Sequence, residues 1–378
     1  MIIHKPKKYR FPRDFLRIIE ALGITVDPRE KYVHPYLGYE MSQEEAADIM
    51  CDTPVGSLLD CIFDVNEIDI EELYDVLNSG RTRVHVKDLK LPKTIPIMPV
   101  EALGWSIRDL LKLMEADAII LPLHEIYETT FKDDLMIQGA KQLLDFDGQV
   151  LLSTVAPDEL LTSEEFYDSV VKLYEEAGAE GVIGYDCASY VDMPSLLRAL
   201  NVVVCLYKTF LLSKKGLNVI PLIKGYREAE WYVEKLKSLG YRNMSLHASY
   251  YIKAGVKGVY SNMQLHDSLK MNDYIISEKV NGYTIILGAL SPAYEHFRRE
   301  GFFSGNVKLA GLGWFLAAQR GQAYYINEEE HSRKVLRHVK IASDEIYCRC
   351  KACASRGGNK LLRLAAHNFN TMQEYHSP

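Results

Sequence analysis

The chain has 378 residues and a formal net charge of −7; 48% of its residues are hydrophobic and 25% are charged. This balance is typical of a soluble globular protein and excludes a uniformly basic nucleic-acid-binding protein. No apolar stretch reaches the roughly 18 residues of a transmembrane helix, and the N-terminus lacks the apolar segment of a signal peptide. We therefore expect a cytoplasmic protein, in the host cytoplasm if it is viral, with no membrane partner.

Basic residues are concentrated in three short segments. They are residues 5–13, the Lys214-Lys215 pair and residues 333–340. Each segment is either a local surface for nucleic acid or an ordinary solvated face, and the sequence leaves both interpretations open.

The first 92 residues predict a separate, mostly helical lobe. Helices are predicted at residues 15–22 and 70–77, and Ser42 and Glu45 fit the capping box that opens a helix. The lobe is expected to end near Pro92, where the pattern of the sequence changes.

Residues 93–325 predict an α/β domain in which strands and helices alternate. Helices are clearest at residues 163–177 and 227–239, and each ends near a glycine, Gly178 or Gly240. Eight short apolar runs predict strands: residues 95–100, 118–123, 149–153, 181–186, 218–223, 243–247, 283–287 and 301–304. Eight such units favour a closed (β/α)8 barrel, as in triosephosphate isomerase, over an open doubly wound sheet, because no G-x-G-x-x-G loop follows the first strand.

The residues that close the strands are the candidate site residues, because chemistry in such a barrel lies at the carboxyl ends of its strands. They are Glu101, His124, Glu125, Ser153, Thr154, Asp186, Lys224, Gly225, His247, Ser291, Ser304 and Asn306. Asp186 is suited to accept hydrogen bonds from a guanine-like base, or else caps a helix or forms an ion pair. Lys224 is suited to a phosphate or a substrate carbonyl, or to an ion pair. His247 is a proton shuttle or a core histidine.

The C-terminal region, residues 326–378, predicts a metal site. The seven cysteines are an odd number, and three of them lie between residues 348 and 353. Cys348, Cys350 and Cys353, followed by His367, make a four-ligand set that suits structural zinc. Because four protein ligands leave no open position, the zinc is expected to stabilise this subdomain and not to catalyse.

Two alternatives for the cysteines follow from their surroundings. A cluster of unliganded thiols at residues 348–353 is disfavoured because Arg349, Lys351 and Arg356 keep the segment polar, where free thiols would be oxidised. The four remaining cysteines lie in apolar or mixed surroundings and are expected to be buried thiols. These are Cys51, Cys61, Cys187 and Cys205.

The C-x-C-x-x-C motif followed by His367-Asn368 resembles the zinc motif of the tRNA-guanine transglycosylase superfamily. Residues 95–100, 118–124 and 161–187 resemble parts of that family's barrel in the same order, and the last segment includes its base-recognising aspartate, here Asp186. Lys224 and Gly225 stand where the family has a glutamine and glycines, and Arg320-Gly321 resembles a stretch after its last strand. The resemblance spans residues 93–375 and is specific in the zinc motif and weak in the barrel.

The resemblance implies a base-exchange enzyme. The short loops and compact zinc segment of this chain are more similar to those of the phage and bacterial enzymes that insert 7-deazaguanine bases into DNA than to those of the tRNA enzymes. Guanine in a polynucleotide, DNA in preference to tRNA, would be replaced by a base such as 7-cyano-7-deazaguanine through a covalent glycosyl intermediate on a carboxylate. The implied partners are DNA or tRNA and the 7-deazaguanine base, and homodimerisation is left open.

The residues implied for base binding are Asp186, Lys224, Gly225, His247 and Thr154. A tRNA enzyme, or a non-catalytic nucleic-acid-binding homologue or partner subunit, is the alternative function.

The catalytic carboxylates do not follow the family pattern. The family places them on the third and eighth strands, where this chain has Ser153-Thr154 and Ser304-Gly305-Asn306. Three explanations stay open. In the first, Asp145 or Asp147 supplies the third-strand carboxylate. In the second, the catalytic carboxylate has moved, and Asp186 is a candidate for it; in the third, the chain is an altered or inactive member of the family. If Asn306 replaces the nucleophile, activity should be lost or relocated, because an amide cannot form the glycosyl ester.

Overall fold

The computed structural model describes residues 22–24, 31–33, 40–43, 45–46, 70–78, 83–161, 163–191, 193–249, 251–252, 263–329, 333–340, 348, 350–355 and 358–377. The predicted helix at residues 15–22, apart from Leu22, lies outside these ranges, as does the basic segment at residues 5–13. Cys51, Cys61, Arg349 and Arg356 lie outside them too.

In the described part of the N-terminal region, Tyr32–Val33 pairs antiparallel with Glu40–Met41. The predicted capping box is confirmed, since Ser42 N donates to Glu45 Oε2 at 2.9 Å and Glu45 N donates to Ser42 Oγ at 3.1 Å. The predicted helix at residues 70–77 is confirmed as α1, Ile70–Asn78.

Within the residues that the structure describes, eight parallel strands form two four-stranded sheets. In chain order they are β1 (Thr94–Pro96), β2 (Ala118–Pro122), β3 (Gln149–Ser153), β4 (Gly181–Ile183), β5 (Val219–Ile220), β6 (Met244–His247), β7 (Thr284–Leu287) and β8 (Val307–Gly311). One sheet has the order β2-β3-β4-β5 and the other β1-β8-β7-β6. Single parallel bridges join Ile97, after β1, to Ile120 of β2, and Leu222, after β5, to Ser245 of β6. The mixed α/β class with parallel sheets is thus confirmed.

Helices follow most strands, as alternation of the two patterns requires. They are α2 (Val100–Leu103), α3 (Ile107–Leu113), α4 (Leu123–Ile126), α5 (Thr130–Gln138), α6 (Ala140–Leu144), α7 (Asp158–Leu161), α8 (Glu164–Ala177), α9 (Ser195–Lys214), α10 (Ala229–Ser238), α11 (Met263–Tyr274), α12 (Pro292–Arg299) and α13 (Gly313–Gln319). The predicted ends of α8 are confirmed, because Ser163 Oγ accepts from Phe166 N at 3.3 Å and Gly178 is left-handed at φ 68°.

The strands are buried on both faces, which explains their continuous apolar runs. Along β2, Ala118 and Ile120 pack in one apolar cluster made mainly of strand residues, and Ile119 and Leu121 pack in the larger cluster shared with the helices. This alternation is the period of two expected of a strand. By length and composition α9 could cross a membrane, but 83% of its most apolar window is buried inside the protein, as in a core helix.

The predicted eighth strand at residues 301–304 is wrong. These residues form a turn in which Phe303 adopts φ 57° and its N–H bonds to Asp273 Oδ1 at 2.6 Å. The strand is β8, which was missed because Lys308 interrupts its apolar run. Asn306 therefore precedes the strand, where its carbonyl accepts from Thr284 N at 3.0 Å.

Candidate functional site

The C-terminal region brings the predicted metal ligands together on a hairpin and two helices. Strands β9 (Gln322–Glu329) and β10 (Arg333–Lys340) pair antiparallel, and helices α14 (Lys351–Ala354) and α15 (Lys360–His376) follow. Asn359 caps α15, because its Oδ1 accepts from Leu361 N at 2.9 Å. His367 lies on the buried face of α15, and Cys350 immediately precedes α14.

The four ligand atoms of Cys348, Cys350, Cys353 and His367 lie within 4.8 Å of one another. The Sγ atoms of Cys350 and Cys353 are 3.6 Å and 3.4 Å from His367 Nδ1. The predicted grouping is confirmed, and three sulfurs with one imidazole can hold a metal ion and are compatible with zinc.

The orientation of the histidine and the lowered pKa of Cys350 suit a cation. His367 Nε2 lies 2.9 Å from the carbonyl of Tyr324, a partner that leaves Nδ1 to face the sulfurs. The hydrogen bond from Cys353, with a smaller contribution from His367, lowers the pKa of Cys350 to about 3. The same contact raises the pKa of Cys353 above its ordinary value. A bound cation would allow all three sulfurs to be thiolates.

Neighbouring amides fix α15 against the rest of the protein. Asn368 accepts from Tyr324 N at 2.7 Å and donates to the carbonyls of Trp314 at 3.0 Å and Gln322 at 2.9 Å. Asn370 accepts from Glu115 N at 3.1 Å, at the end of α3. Sequence analysis missed these roles of the two asparagines, although both stand beside the predicted ligand His367.

A second group of predicted residues meets at the carboxyl ends of β4 and β5. Asp186 and Lys224 form a buried ion pair, with side chains 7% and 12% exposed. Asp186 Oδ1 also accepts from Cys187 N at 2.8 Å, and Lys224 Nζ donates to the carbonyl of Cys187 at 2.9 Å. Burial lowers the pKa of Lys224, but the charge and hydrogen bond of Asp186, together with Cys187 and Cys205, outweigh burial and raise the pKa above its ordinary value. The ion-pair interpretation of both residues is thus confirmed.

The other predicted base-binding residues lie at or after the carboxyl ends of β3, β5 and β6. Thr154 is fully buried and its Oγ1 donates to the carbonyl of Ile183 at 3.1 Å. Gly225 N donates to Ser189 Oγ at 3.3 Å, and His247 is exposed at the end of β6. Thr154 and Gly225 therefore hold the backbone in place, whereas His247 faces solvent.

A buried ion pair that sequence analysis missed braces the loop after β5. Arg198 binds Glu228 through two contacts of 2.9 Å and 3.1 Å and donates to the carbonyl of Met193 at 3.0 Å. Glu228 also accepts from Tyr226 N at 3.1 Å. The pair connects α9 to the segment that carries Lys224.

The remaining predicted catalytic residues lie at amino ends of strands, away from Asp186. Asp145 ends α6 in a left-handed conformation and contacts Arg108 at 3.4 Å and Lys112 at 3.6 Å. Asp145 and Asp147 both precede β3, and Asn306 precedes β8. Because carboxyl ends of parallel strands meet at one edge, none of these three is brought together with Asp186.

Glu125 is a carboxyl group at the carboxyl end of β2, to which sequence analysis gave no catalytic role. Its Oε2 accepts from Glu101 N at 2.9 Å, and burial raises its pKa. A strand-end carboxyl group with a shifted pKa is a candidate for chemistry.

Comparison of the sequence with models of protein families and with curated proteins finds no match to either. Its function therefore has to be argued from its own residues.

Proposed function

We propose that the chain is a base-exchange transglycosylase that replaces guanine in a polynucleotide, DNA in preference to tRNA, with a 7-deazaguanine such as 7-cyano-7-deazaguanine. The observation that carries the proposal is the combination of a buried aspartate at the carboxyl end of β4 with a Cys3His group in the C-terminal region. Asp186 stands where the resemblance to the tRNA-guanine transglycosylases implies a base-reading carboxylate.

The proposal includes a closed (β/α)8 barrel. Its support is the pair of bridges between the two sheets, where Met98 N donates to Ile120 O at 2.9 Å and Ile223 N donates to Ser245 O at 2.7 Å. An apolar cluster also draws side chains from seven of the eight strands, as the interior of a barrel would. They are Ile95, Ala118, Ile120, Leu151, Ile183, Ile220, Ile285, Leu287 and Ala310.

The ion in the Cys3His group is proposed to be zinc with a structural role. Thiolate and imidazole ligands in a closed set of four favour zinc and leave no position for water. Bound there, zinc would connect His367 on α15 to Cys348, Cys350 and Cys353 at and before α14, and the chemistry would belong to the strand ends.

Glu125 is our candidate for the nucleophile. Exchange needs a carboxylate that bonds to C1′ as guanine leaves with the electrons of the glycosidic bond; the incoming base then displaces the carboxylate. Glu125 and Asp186 follow β2 and β4, on either side of β3, and Asp186 is already bound to Lys224. Glu125 is oriented by the backbone N–H groups of Glu101 and Val100.

A polynucleotide surface is supported on the C-terminal hairpin. Arg337 and Lys340 are exposed on β10, and Tyr325, 42% exposed, is the cross-strand partner of Arg337. Exposed cations beside an aromatic ring suit phosphates and bases. In the Lys214-Lys215 pair, the other described basic segment, Lys214 Nζ forms an ion pair with Glu72 Oε1 at 2.6 Å.

The hairpin surface can be tested with charge reversals. Arg337→Glu with Lys340→Glu is expected to weaken DNA binding and reduce its salt dependence in a filter-binding titration. Lys270→Glu, an exposed change on α11, is the control. Equal losses in both variants would contradict the assignment of this surface.

A non-catalytic nucleic-acid-binding homologue is the second candidate function. It is favoured by the absence of carboxylates where β3 and β8 end: β3 ends at Ser153, followed by the buried Thr154, and β8 ends at Gly311. Under this alternative, the pair of Asp186 and Lys224 would bind a base without exchanging it.

The experiment incubates the protein with guanine-containing DNA or tRNA and a radiolabelled 7-deazaguanine base. Label in DNA is the expected result, and label in tRNA alone would favour the tRNA enzyme. Binding of both polynucleotides without label in either would support the non-catalytic homologue.

Trapping of an adduct on a denaturing gel locates the nucleophile. Wild type should form a covalent protein–oligonucleotide adduct when the incoming base is omitted, and Glu125→Gln should form none. Asp145→Asn and Asp147→Asn are matched controls because both residues precede β3. An adduct that persists in Glu125→Gln would remove Glu125 from this role.

A further inference from the structure

Helix α9 carries three buried polar side chains along one face of a largely apolar helix. Asn201, Cys205 and Thr209 are spaced four residues apart, and all three are fully buried. A polar group that leaves water costs free energy unless it finds a hydrogen-bond partner inside the protein. The partners of these three side chains therefore show what this face of the helix binds.

Two of these side chains bind the peptide groups of Tyr185, just after β4. Gly184 N still donates to the carbonyl of Ile220 in β5, at 3.1 Å. At the next residue, Tyr185 N donates to Thr209 Oγ1 at 3.1 Å, and the carbonyl of Tyr185 accepts from Cys205 Sγ at 3.0 Å. Helix α9 thus replaces β5 as the hydrogen-bond partner of the backbone.

The third side chain binds the same segment beyond Asp186. Asn201 Nδ2 donates to the carbonyl of Ala188 at 2.9 Å, three residues after Tyr185. Asp186 therefore lies between two points at which α9 holds the backbone. Its carboxylate is oriented from the same segment, since Cys187 N donates to Asp186 Oδ1 at 2.8 Å. A shift of this backbone would displace the carboxylate with it.

Helix α10 supports this arrangement from behind. Tyr232 of α10 is fully buried, and its hydroxyl lies 3.5 Å from Cys205 Sγ and forms a hydrogen bond with the side chain of Thr209. Tyr241 Oη donates to the carbonyl of Thr209 at 3.2 Å. The hydroxyl of Thr209 is thus held between Tyr232 and the backbone of Tyr185.

We propose that Thr209 and Asn201 are positioning residues, which fix the Asp186 carboxylate through the backbone of residues 185–188 without contacting the base. A displacement of about 1 Å in such a group can cost roughly 100-fold in rate. The inference rests on the proposed function, which makes Asp186 the group that reads the base. Sequence analysis gave neither residue a role, because both lie inside a helix and not at a strand end.

Steady-state exchange on DNA with the full chain measures the effect on base reading. Thr209→Val keeps the shape of the side chain but removes the acceptor of Tyr185 N. We expect the KM of the incoming 7-deazaguanine to rise roughly 10-fold with kcat nearly unchanged, because base reading contributes to binding. A general loss of folded protein would lower kcat instead. An unchanged KM in folded Thr209→Val would overturn the proposal.

Two further variants serve as controls for this measurement. Thr209→Ser keeps the hydroxyl and should retain the wild-type KM. Thr284→Val changes a buried threonine of β7 whose hydroxyl has no hydrogen-bond partner among the described residues, and it should also retain the wild-type KM. A KM raised equally in Thr284→Val and Thr209→Val would contradict a specific role of Thr209.

Selective labelling of cysteine with nitrogen-15 gives a readout that does not depend on catalysis. The amide proton of Cys187 donates to Asp186 Oδ1, so its chemical shift reports on that bond. The signal is assigned by its loss in Cys187→Ser. It should move upfield in Thr209→Val, because the bond weakens, and keep its position in Thr209→Ser and Thr284→Val. An unchanged signal in folded Thr209→Val would overturn the role of Thr209.

Asn201→Ala tests the second point of attachment. It removes the bond to the carbonyl of Ala188, and we expect the KM and the Cys187 signal to change in the same directions. Thermal unfolding checks that each variant is folded. No change in folded Asn201→Ala would remove Asn201 from the proposal, and would overturn the proposal altogether if Thr209→Val does not fold.

The two measurements separate this inference from the proposed function. A shifted Cys187 signal in Thr209→Val, with no exchange on DNA or tRNA by the wild type, would support the positioning of Asp186 and contradict the transglycosylase. Exchange by the wild type with an unchanged KM in folded Thr209→Val would do the reverse.

Discussion

At the scale of single residues, Arg198 and Glu228 carry charge into the interior, each with a side chain 4% exposed. Arg198→Met would leave the Glu228 carboxylate buried without its cation. We expect the free energy of unfolding in urea to fall by about 3–5 kcal/mol. Lys31→Met, which breaks an exposed pair with Glu40, is the control and should have little effect. Similar losses of unfolding free energy in both variants would show that burial does not determine how much these ion pairs contribute to stability.

His376 predicts a specific pH dependence of stability. Its imidazole lies 3.5 Å from Glu295 Oε1, and burial, followed by the charges of Arg298 and Lys93, lowers the pKa of His376 to about 3. An unfolded histidine titrates near pH 6.5. Between these values the unfolded state binds a proton that the folded state does not. The contribution of His376 to the free energy of unfolding is therefore complete above about pH 6.5 and is lost as the pH falls, by up to about 1.4 kcal/mol per pH unit.

His376→Gln isolates this contribution, which Glu295 partly offsets. Burial raises the pKa of Glu295, so its carboxyl group takes up a proton in the folded state at a higher pH than in the unfolded chain, and this opposes the effect of the histidine. Urea unfolding at pH 7.5, 6 and 5 should show the variant gaining on the wild type as the pH falls. Parallel curves for the two proteins would rule out a neutral buried His376.

At the scale of elements, α15 depends on Asn368, whose amide makes three hydrogen bonds to β9 and to the first turn of α13. Asn368→Ala would leave Tyr324 N and the carbonyls of Trp314 and Gln322 without these partners. We expect a loss of about 3 kcal/mol in the free energy of unfolding. Asn327→Ala, an exposed amide on β9, should change it by less than about 0.5 kcal/mol. A loss below about 1 kcal/mol for Asn368→Ala would contradict this role.

Strands and metal ligands that have a recognisable pattern in neighbouring residues could be predicted from the sequence. Seven strands have short apolar runs, and the metal ligands have a characteristic spacing, so both were found. β8 was not, because Lys308 breaks its run while Phe302 and Phe303 make a turn look like a strand. Sequence analysis also could not predict that Asp186 and Lys224 form an ion pair with each other, because the two residues meet only when β4 and β5 become neighbours.

At the scale of the whole molecule, the metal is expected to hold the C-terminal region on the rest of the protein. The described contacts of α15 reach β9, α13 and the end of α3, and His367 on that helix is one of the ligands. Purified protein should contain one zinc ion per chain. Cys353→Ser, or treatment with a chelator, should lower its thermal midpoint by several degrees.

Cys205→Ser is the matched control for the metal, since Cys205 is a buried thiol on α9 outside the Cys3His group. It should retain the zinc. Zinc lost equally from both cysteine variants, or no zinc in the wild type, would remove the metal from this account.

The balance of base release and base incorporation tests exchange most directly. DNA with tritiated guanine is incubated with the protein and a carbon-14-labelled 7-deazaguanine, and both labels are counted in the intact polymer. We predict that one labelled base enters for each guanine released, and that Glu125→Gln abolishes both. Guanine release that leaves abasic sites, or no release from either DNA or tRNA, would contradict a base-exchange transglycosylase.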